Sequence, residues 1–153
     1  MKKYLIALVA VMAVVIGAAA SQPVKWRTSV RMTSPTEGTV TVRAIIPEGF
    51  HLYGMSMPEG GPKATSLDFT GSRGITLIGS TGFAPAPVTA HDEAFGCDLQ
   101  WWAGRVAFTQ RFRLTEPKEA KVNIKISFMT CNGSNCTPPQ TANISAPIPA
   151  YKP

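Results

Sequence analysis

Residues 121–139 read Lys-Val-Asn-Ile-Lys-Ile-Ser-Phe-Met-Thr-Cys-Asn-Gly-Ser-Asn-Cys-Thr-Pro-Pro. The first part alternates, with Val122, Ile124, Ile126 and Phe128 against Lys121, Asn123, Lys125 and Ser127. Successive strand residues point to opposite faces, so this period of two predicts a half-buried antiparallel strand over 121–129. Asn132-Gly133 is a strong hairpin signal, because both residue types tolerate positive φ. The expectation is a turn with Cys131 and Cys136 at the facing ends of two antiparallel strands. Opposed residues of such a ladder have Cα atoms roughly 4.5–5.5 Å apart, which overlaps the roughly 4.4–6.8 Å that a disulfide needs. A bridge that closes so short a loop removes little chain entropy and is a poor staple. At a loop tip it is a candidate for redox chemistry. The competing reading is a structural bridge in a small exported domain.

The same alternation runs outward from this stretch. Residues 24–32 set Trp26, Thr28, Val30 and Met32 against Lys25, Arg27, Ser29 and Arg31. Residues 39–46 set Val40, Val42, Ala44 and Ile46 against Thr39, Thr41 and Arg43, and residues 105–114 set Val106, Phe108, Phe112 and Leu114 against Ala107, Thr109, Arg111 and Arg113. Weaker strands are expected at 67–70, 75–78 and 143–148. No helical period of useful length follows residue 20, and Gly and Pro punctuate the chain. About seven strands around one core predict an all-β, immunoglobulin-like antiparallel sandwich, a single domain over 21–153. The tail from Ala146, with Pro147, Pro149 and Pro153, reads as an edge segment or a loose end.

The start of the chain sets the expected compartment. Lys2 and Lys3 precede an apolar run over 5–16, and Ala18-Ala19-Ala20 precedes Ser21. This is the pattern of a secretory signal peptide over 1–20, too short for a membrane anchor. The formal net charge is +6; without Lys2 and Lys3, and with no acid among residues 1–20, it is +4. Lys and Arg are scattered without interleaved aromatics, which argues against nucleic acid as a partner. Cys97 is the odd cysteine, expected as a buried or half-buried free thiol.

Two stretches read as loops. Residues 47–62 hold Gly49-Phe50-His51-Leu52-Tyr53 and a Met-, Pro- and Gly-rich run, and residues 85–102 hold His91-Asp92-Glu93-Ala94-Phe95-Gly96-Cys97 and then Trp101-Trp102. Long loops are where sandwiches carry function. His51, Met55 and Met57 could serve, together with the cysteines, as soft copper ligands, but loop packing accounts for them more simply. Adjacent Trp101 and Trp102 must face opposite sides of any strand that holds them.

Cys131 and Cys136 followed by Pro138-Pro139, together with Gly49-Phe50-His51-Leu52-Tyr53 and Gly60-Gly61-Pro62 before Thr65, resemble one family. It is the N-terminal periplasmic domain of the thiol:disulfide interchange protein DsbD, also called the disulfide-bond corrector domain. The likeness spans nearly all of 24–148. It implies an immunoglobulin-like domain in the periplasm that takes electrons from a membrane-embedded donor and passes them to thioredoxin-like proteins, without a cofactor or metal. It implies that Cys131 and Cys136 are the redox pair, Cys136 forming the mixed disulfide and Cys131 resolving it. It also implies a cap over the pair, here 91–96 with Phe95 at its tip. Asp92 and Glu93 stand offset from the family's acidic positions, and Tyr53 and His51 match aromatic positions near the pair. No membrane-embedded or thioredoxin-like domain follows within these residues, so the expected donor is a separate polypeptide and the domain a monomer. Cys97 departs from the family pattern. The alternative is a non-catalytic immunoglobulin-like binding module with a structural bridge.

Overall fold

Alternation decides which side chains the fold buries. In the computed structural model, which describes residues 24–133 and 135–153, β9 (Lys121–Phe128) buries Val122, Ile124, Ile126 and Phe128. The expected signal peptide over 1–20 lies outside the described residues. β8 (Arg105–Leu114) buries Val106, Phe108, Gln110 and Phe112, and β2 (Glu37–Ile45) buries Gly38, Val40, Val42 and Ala44. β1 (Lys25–Met32) turns Trp26, Thr28, Val30 and Met32 inward. These faces meet in one hydrophobic core, and each fully buried Val, Ile or Phe contributes about 1.5–3 kcal/mol. Trp26 stands edge-on to Phe128 at 5.1 Å and ties β1 across the core to β9.

Among the described residues eleven strands build two layers. The first layer has the order β1-β2-β8-β5, with β5 at Ile75–Ala84. The second consists of two antiparallel sheets. One is β11-β9-β4, with β4 at Ser66–Asp68 and β11 at Gln140–Pro147. The other is β10-β3-β7-β6, with β3 at His51–Tyr53, β6 at Val88–Asp92, β7 at Cys97–Trp102 and β10 at Thr130–Cys131. Chain continuity from β9 through Met129 into β10 joins them. The chain is an all-β, immunoglobulin-like sandwich, with more strands than the expected seven.

Three of the four additional strands, β3, β6 and β7, fall inside the two stretches expected as loops, and the fourth, β10, directly follows β9. β3 and β10 are too short to show a period. β6 and β7 form a hairpin whose outer face is partly covered: Leu99 is fully buried there, while Trp102 is buried in the main core. With both faces partly covered, the polar–apolar alternation disappears. Trp101 and Trp102 face opposite sides as expected. β11 ends at Pro147, and the remaining tail forms no strand.

Gln110 occupies a core-facing position among apolar residues because β5 is irregular opposite it. The register between β5 and β8 shifts between Ile78 and Gly82, which frees carbonyls from the ladder. The Gln110 Nε2 amide donates to the carbonyls of Ile78 at 3.1 Å and Gly79 at 3.2 Å, and its Oε1 accepts from Thr81 Oγ1 at 2.8 Å. Gln110→Leu should cost about 1–3 kcal/mol of unfolding free energy, because it strands those partners. Urea denaturation checks this; an unchanged midpoint would show that water replaces the amide.

Candidate functional site

The second layer brings the two cysteines to its outer face. After β9, Met129 breaks the run, and β10 pairs with β3 so that Thr130 opposes Leu52 and Cys131 opposes His51. Leu52 points into the main core, so His51, Tyr53 and Cys131 share the opposite face. Cys131 and Cys136 form a disulfide across an antiparallel bridge, with their Cα atoms 4.0 Å apart, closer than the ladder spacing expected. Beneath the bridge Thr130 and Thr137 are buried and bonded to each other. The Thr137 amide donates to the Thr130 carbonyl at 2.8 Å, and their hydroxyls lie 3.2 Å apart.

The turn departs from the Asn-Gly signal at Asn132, which does not take positive φ. Gly133 has φ 88°, but no residue other than glycine has positive φ among the described residues. Asn132 instead uses its side chain: its Oδ1 accepts the Asn135 amide at 2.9 Å, and its own amide donates to the Asn135 carbonyl at 3.0 Å. An Asx-type turn of this kind spares Asn132 the left-handed region. The peptide bonds before Pro138 and Pro139 are trans; the cis bond among the described residues is Ala84–Pro85.

The two sulfurs are not equivalent. Cys131 is only 5% exposed, whereas Cys136 is exposed. The Tyr53 hydroxyl donates to Cys131 Sγ at 2.9 Å and lies 3.9 Å from Cys136 Sγ. Burial, and then the negative charge of Asp92, push the Tyr53 phenol up to about 12. It therefore keeps its proton throughout the neutral range and remains a donor. The backbone around Tyr53 is fixed on several sides. Thr65 Oγ1, fully buried, donates to the Tyr53 carbonyl at 2.6 Å, and the Gly54 amide donates to the Gln100 carbonyl at 2.7 Å. A Cβ on Gly54 would lie 2.9 Å from that of Gln100, so the close approach of β3 to β7 requires glycine there.

Residues 92–97 form the turn between β6 and β7. Asp92 organises it: its Oδ1 accepts the amides of Ala94 at 2.9 Å and Phe95 at 3.2 Å, and its carbonyl accepts the amide of Gly96, which has φ 64°. The turn presents Phe95, half-buried, edge-on to the Tyr53 ring at 6.2 Å. Tyr53, Leu99 and Cys131 form a small second cluster, against which Phe95, Met57, Met129, Cys97 and Trp101 pack. His51 stacks on Trp101 at 4.9 Å beside Cys131.

Six of the seven residues singled out in the sequence thus come together: Cys131, Cys136, Tyr53, Phe95, Asp92 and His51. Glu93 is exposed, and among the described residues no hydrogen bond or ion pair ties it to the bridge. Met57 joins the outer cluster but Met55 packs on the main core, so His51, Met55 and Met57 do not converge as one ligand set. Sequence reasoning missed the Thr130–Thr137 pair, and it named Thr65 only as part of the family-like motif, without its anchoring role. The symmetry of Thr130-Cys131 and Cys136-Thr137 was the available signal for the first. For the second there was only position after Gly60-Gly61-Pro62.

The sequence profile described as thiol:disulfide interchange protein DsbD, N-terminal, matches residues 19–147. No curated protein matches the chain significantly. Among solved structures, the chain is similar to the N-terminal periplasmic domain of ScsB from Proteus mirabilis, with a TM-score of 0.60 at 18% identity over 82% of this chain and 48% of that one. The chain therefore spans about half the length of that structure. It is also similar to the DsbD N-terminal domain of Neisseria meningitidis in the reduced form, with a TM-score of 0.51 at 15% identity over 81% of this chain and 87% of that one. At these identities the two structures speak to the fold.

Proposed function

The chain belongs to the family of the N-terminal domain of the thiol:disulfide interchange protein DsbD, and from that premise we propose that it relays electrons through Cys131 and Cys136 in the periplasm. One observation carries the reading: an exposed Cys136 is bonded to a buried Cys131 whose sulfur accepts a hydrogen bond from Tyr53. Exchange needs a thiolate to approach along the S–S axis, and only the Cys136 sulfur is open to one.

A donor thiolate attacks Cys136 Sγ. The Cys131–Cys136 bond breaks as the mixed disulfide forms, and Cys131 leaves as a thiolate that keeps the Tyr53 hydrogen bond. A second donor thiol then attacks its own sulfur in the mixed disulfide. It releases Cys136 and leaves the donor oxidised and this pair reduced by two electrons and two protons. In the next half-cycle the Cys136 thiolate attacks the disulfide of a thioredoxin-like acceptor, and Cys131 resolves it. We assign the donor role to a separate membrane protein and read the domain as a monomer that acts as a protein-disulfide reductase. Residues 1–20 serve as its export signal and 21–153 as the working domain. Phe95 covers the pair between encounters, and His51 forms part of the partner-facing rim.

The test is the reduction potential of the Cys131–Cys136 pair, measured in glutathione or dithiothreitol buffers with alkylation and mass spectrometry. A relay should fall at about −180 to −270 mV, and the reduced protein should stay folded. A value below about −300 mV, where structural bridges lie, would favour a binding module in which the bridge only pins the hairpin. Phe95→Ala should speed reduction by a small thiol about two- to tenfold, equivalent to the ~0.5–1.5 kcal/mol of an aromatic edge contact. A stopped-flow rate that does not change would remove Phe95 from the cap role.

A further inference from the structure

The first layer, a different sheet from the one that carries the disulfide, turns a basic face outward. Strand alternation places Lys25, Arg27 and Arg31 of β1, Arg43 of β2, and Arg105, Arg111 and Arg113 of β8 on it, all exposed. At one end the charge is compensated: Glu37 accepts from Arg113 at 2.7 Å and from Arg111 at 3.2 Å. At the other end it is not. The register sets Lys25 opposite Ile45 and Ile45 opposite Arg105, and one row on it sets Arg27 directly opposite Arg43. Neighbouring strands are about 4.8 Å apart and same-face residues about 6.6 Å apart along a strand, so these four cations crowd a small area.

Like charges directly opposite one another weaken a sheet, and no carboxylate pairs with Arg27, Arg43 or Arg105 among the described residues. Over 24–153 the chain carries 13 Lys and Arg against 9 Asp and Glu, so this corner holds the equivalent of the whole excess. It is also concave. A depression of ≈ 540 Å³ is lined by Arg27, Arg43 and Arg105 with Ile45, Pro85 and Ala107, and no acidic side chain reaches it.

We propose that this depression binds a phosphate group, as a phosphomonoester or a phosphodiester. Guanidinium forks from three strands can each present paired donors to one multi-oxygen anion, which offsets the repulsion the apo sheet bears. A protein interface would fit less well, since its centre is normally poor in charge and anchored by an aromatic residue. Here the centre is cationic and its flanks are small aliphatic groups. The group could come from a soluble phosphate compound or from an anionic lipid headgroup. The proposal does not depend on the disulfide chemistry.

Calorimetry with inorganic phosphate, and co-sedimentation with vesicles of phosphatidylglycerol and phosphatidylcholine, test it on the purified protein at low salt. At least one probe should bind saturably, and Arg27→Gln with Arg43→Gln should weaken that binding at least about tenfold, the equivalent of one lost charge-assisted hydrogen bond. Arg111→Gln with Arg113→Gln, on the same face but beside Glu37, should retain it. The binding probe should raise the melting temperature of the wild type and not that of the Arg27/Arg43 variant. Arg105→Gln serves if the double variant does not fold. Phosphate alone as the effective probe assigns the site to a soluble compound, and vesicles alone to a lipid headgroup. Absence of binding to both, binding unmoved by the variants, or tighter binding of a glutamate-rich peptide overturns the proposal.

Discussion

Replacing Cys136 by Ser abolishes transfer of electrons to an acceptor disulfide, whereas replacing Cys131 by Ser leaves a protein that captures its partner and cannot let it go. The asymmetry follows from exposure. In the Cys131→Ser protein the exposed Cys136 still attacks, but its resolving partner is gone, so the covalent complex accumulates; Cys97, the remaining free thiol, is replaced by Ser in both variants so that it cannot resolve it. In the Cys136→Ser protein the remaining thiol of the pair is Cys131, 5% exposed and beneath Tyr53, where an incoming disulfide cannot align with it. The measurement is non-reducing electrophoresis and mass spectrometry of adducts formed with a periplasmic extract. Capture by Cys136→Ser and not by Cys131→Ser would reverse the two roles. Both variants should fold. By the chain-entropy relation a loop this short contributes about 2 kcal/mol, so losing the bridge should leave most of the stability of a core of this size in place.

The sandwich was legible because β1, β2, β8 and β9 each bury one face in a single core, and a one-sided environment writes itself as a period of two. β6 and β7 were not legible because both their faces are partly covered, the outer one by the cluster around Leu99 and Tyr53. The site was legible in its residue types but not in its contacts. Cys131, Cys136, Tyr53 and Phe95 lie in three separate segments, and nothing local says that β3 runs beside β10 or that the β6–β7 turn aims a ring at Tyr53. Asp92 shows the limit of reading by charge. Beside a thiol pair its carboxylate suggests proton chemistry, yet its Oδ1 is committed to two amides of the turn, and its field acts on the Tyr53 phenol. Gln110 was passed over for a related reason: a polar residue in an apolar series gives no hint that it answers a register shift on the neighbouring strand.

Tyr53→Phe should slow exchange through the pair by roughly ten- to a hundredfold while leaving the fold in place. The hydroxyl donates to Cys131 Sγ at 2.9 Å, inside a cluster closed by Leu99 and Phe95. When Cys131 leaves as a thiolate, that bond becomes charge-assisted, and such bonds contribute about 1.5–3 kcal/mol. Without it the departing sulfur is a buried, less stabilised anion, so its thiol pKa rises and it becomes a poorer leaving group. Phenylalanine keeps the ring against Phe95, so the melting temperature should barely move. A rise in the Cys131 thiol pKa, followed by thiolate absorbance in a Cys97→Ser, Cys136→Ser background, separates loss of the donor from general loosening. The pH dependence has a definite sign. The Tyr53 phenol is raised from 10.0 to about 12, so the stability tied to its protonated form is intact below pH 10 and is lost as pH climbs from there to about 12. Across the neutral range Tyr53 stays protonated, so the wild-type rate there should follow the thiols alone. Spectrophotometric titration should show one tyrosine ionising near pH 12 that is missing from Tyr53→Phe. A variant with wild-type exchange rates and an unshifted Cys131 would reduce Tyr53 to a packing residue.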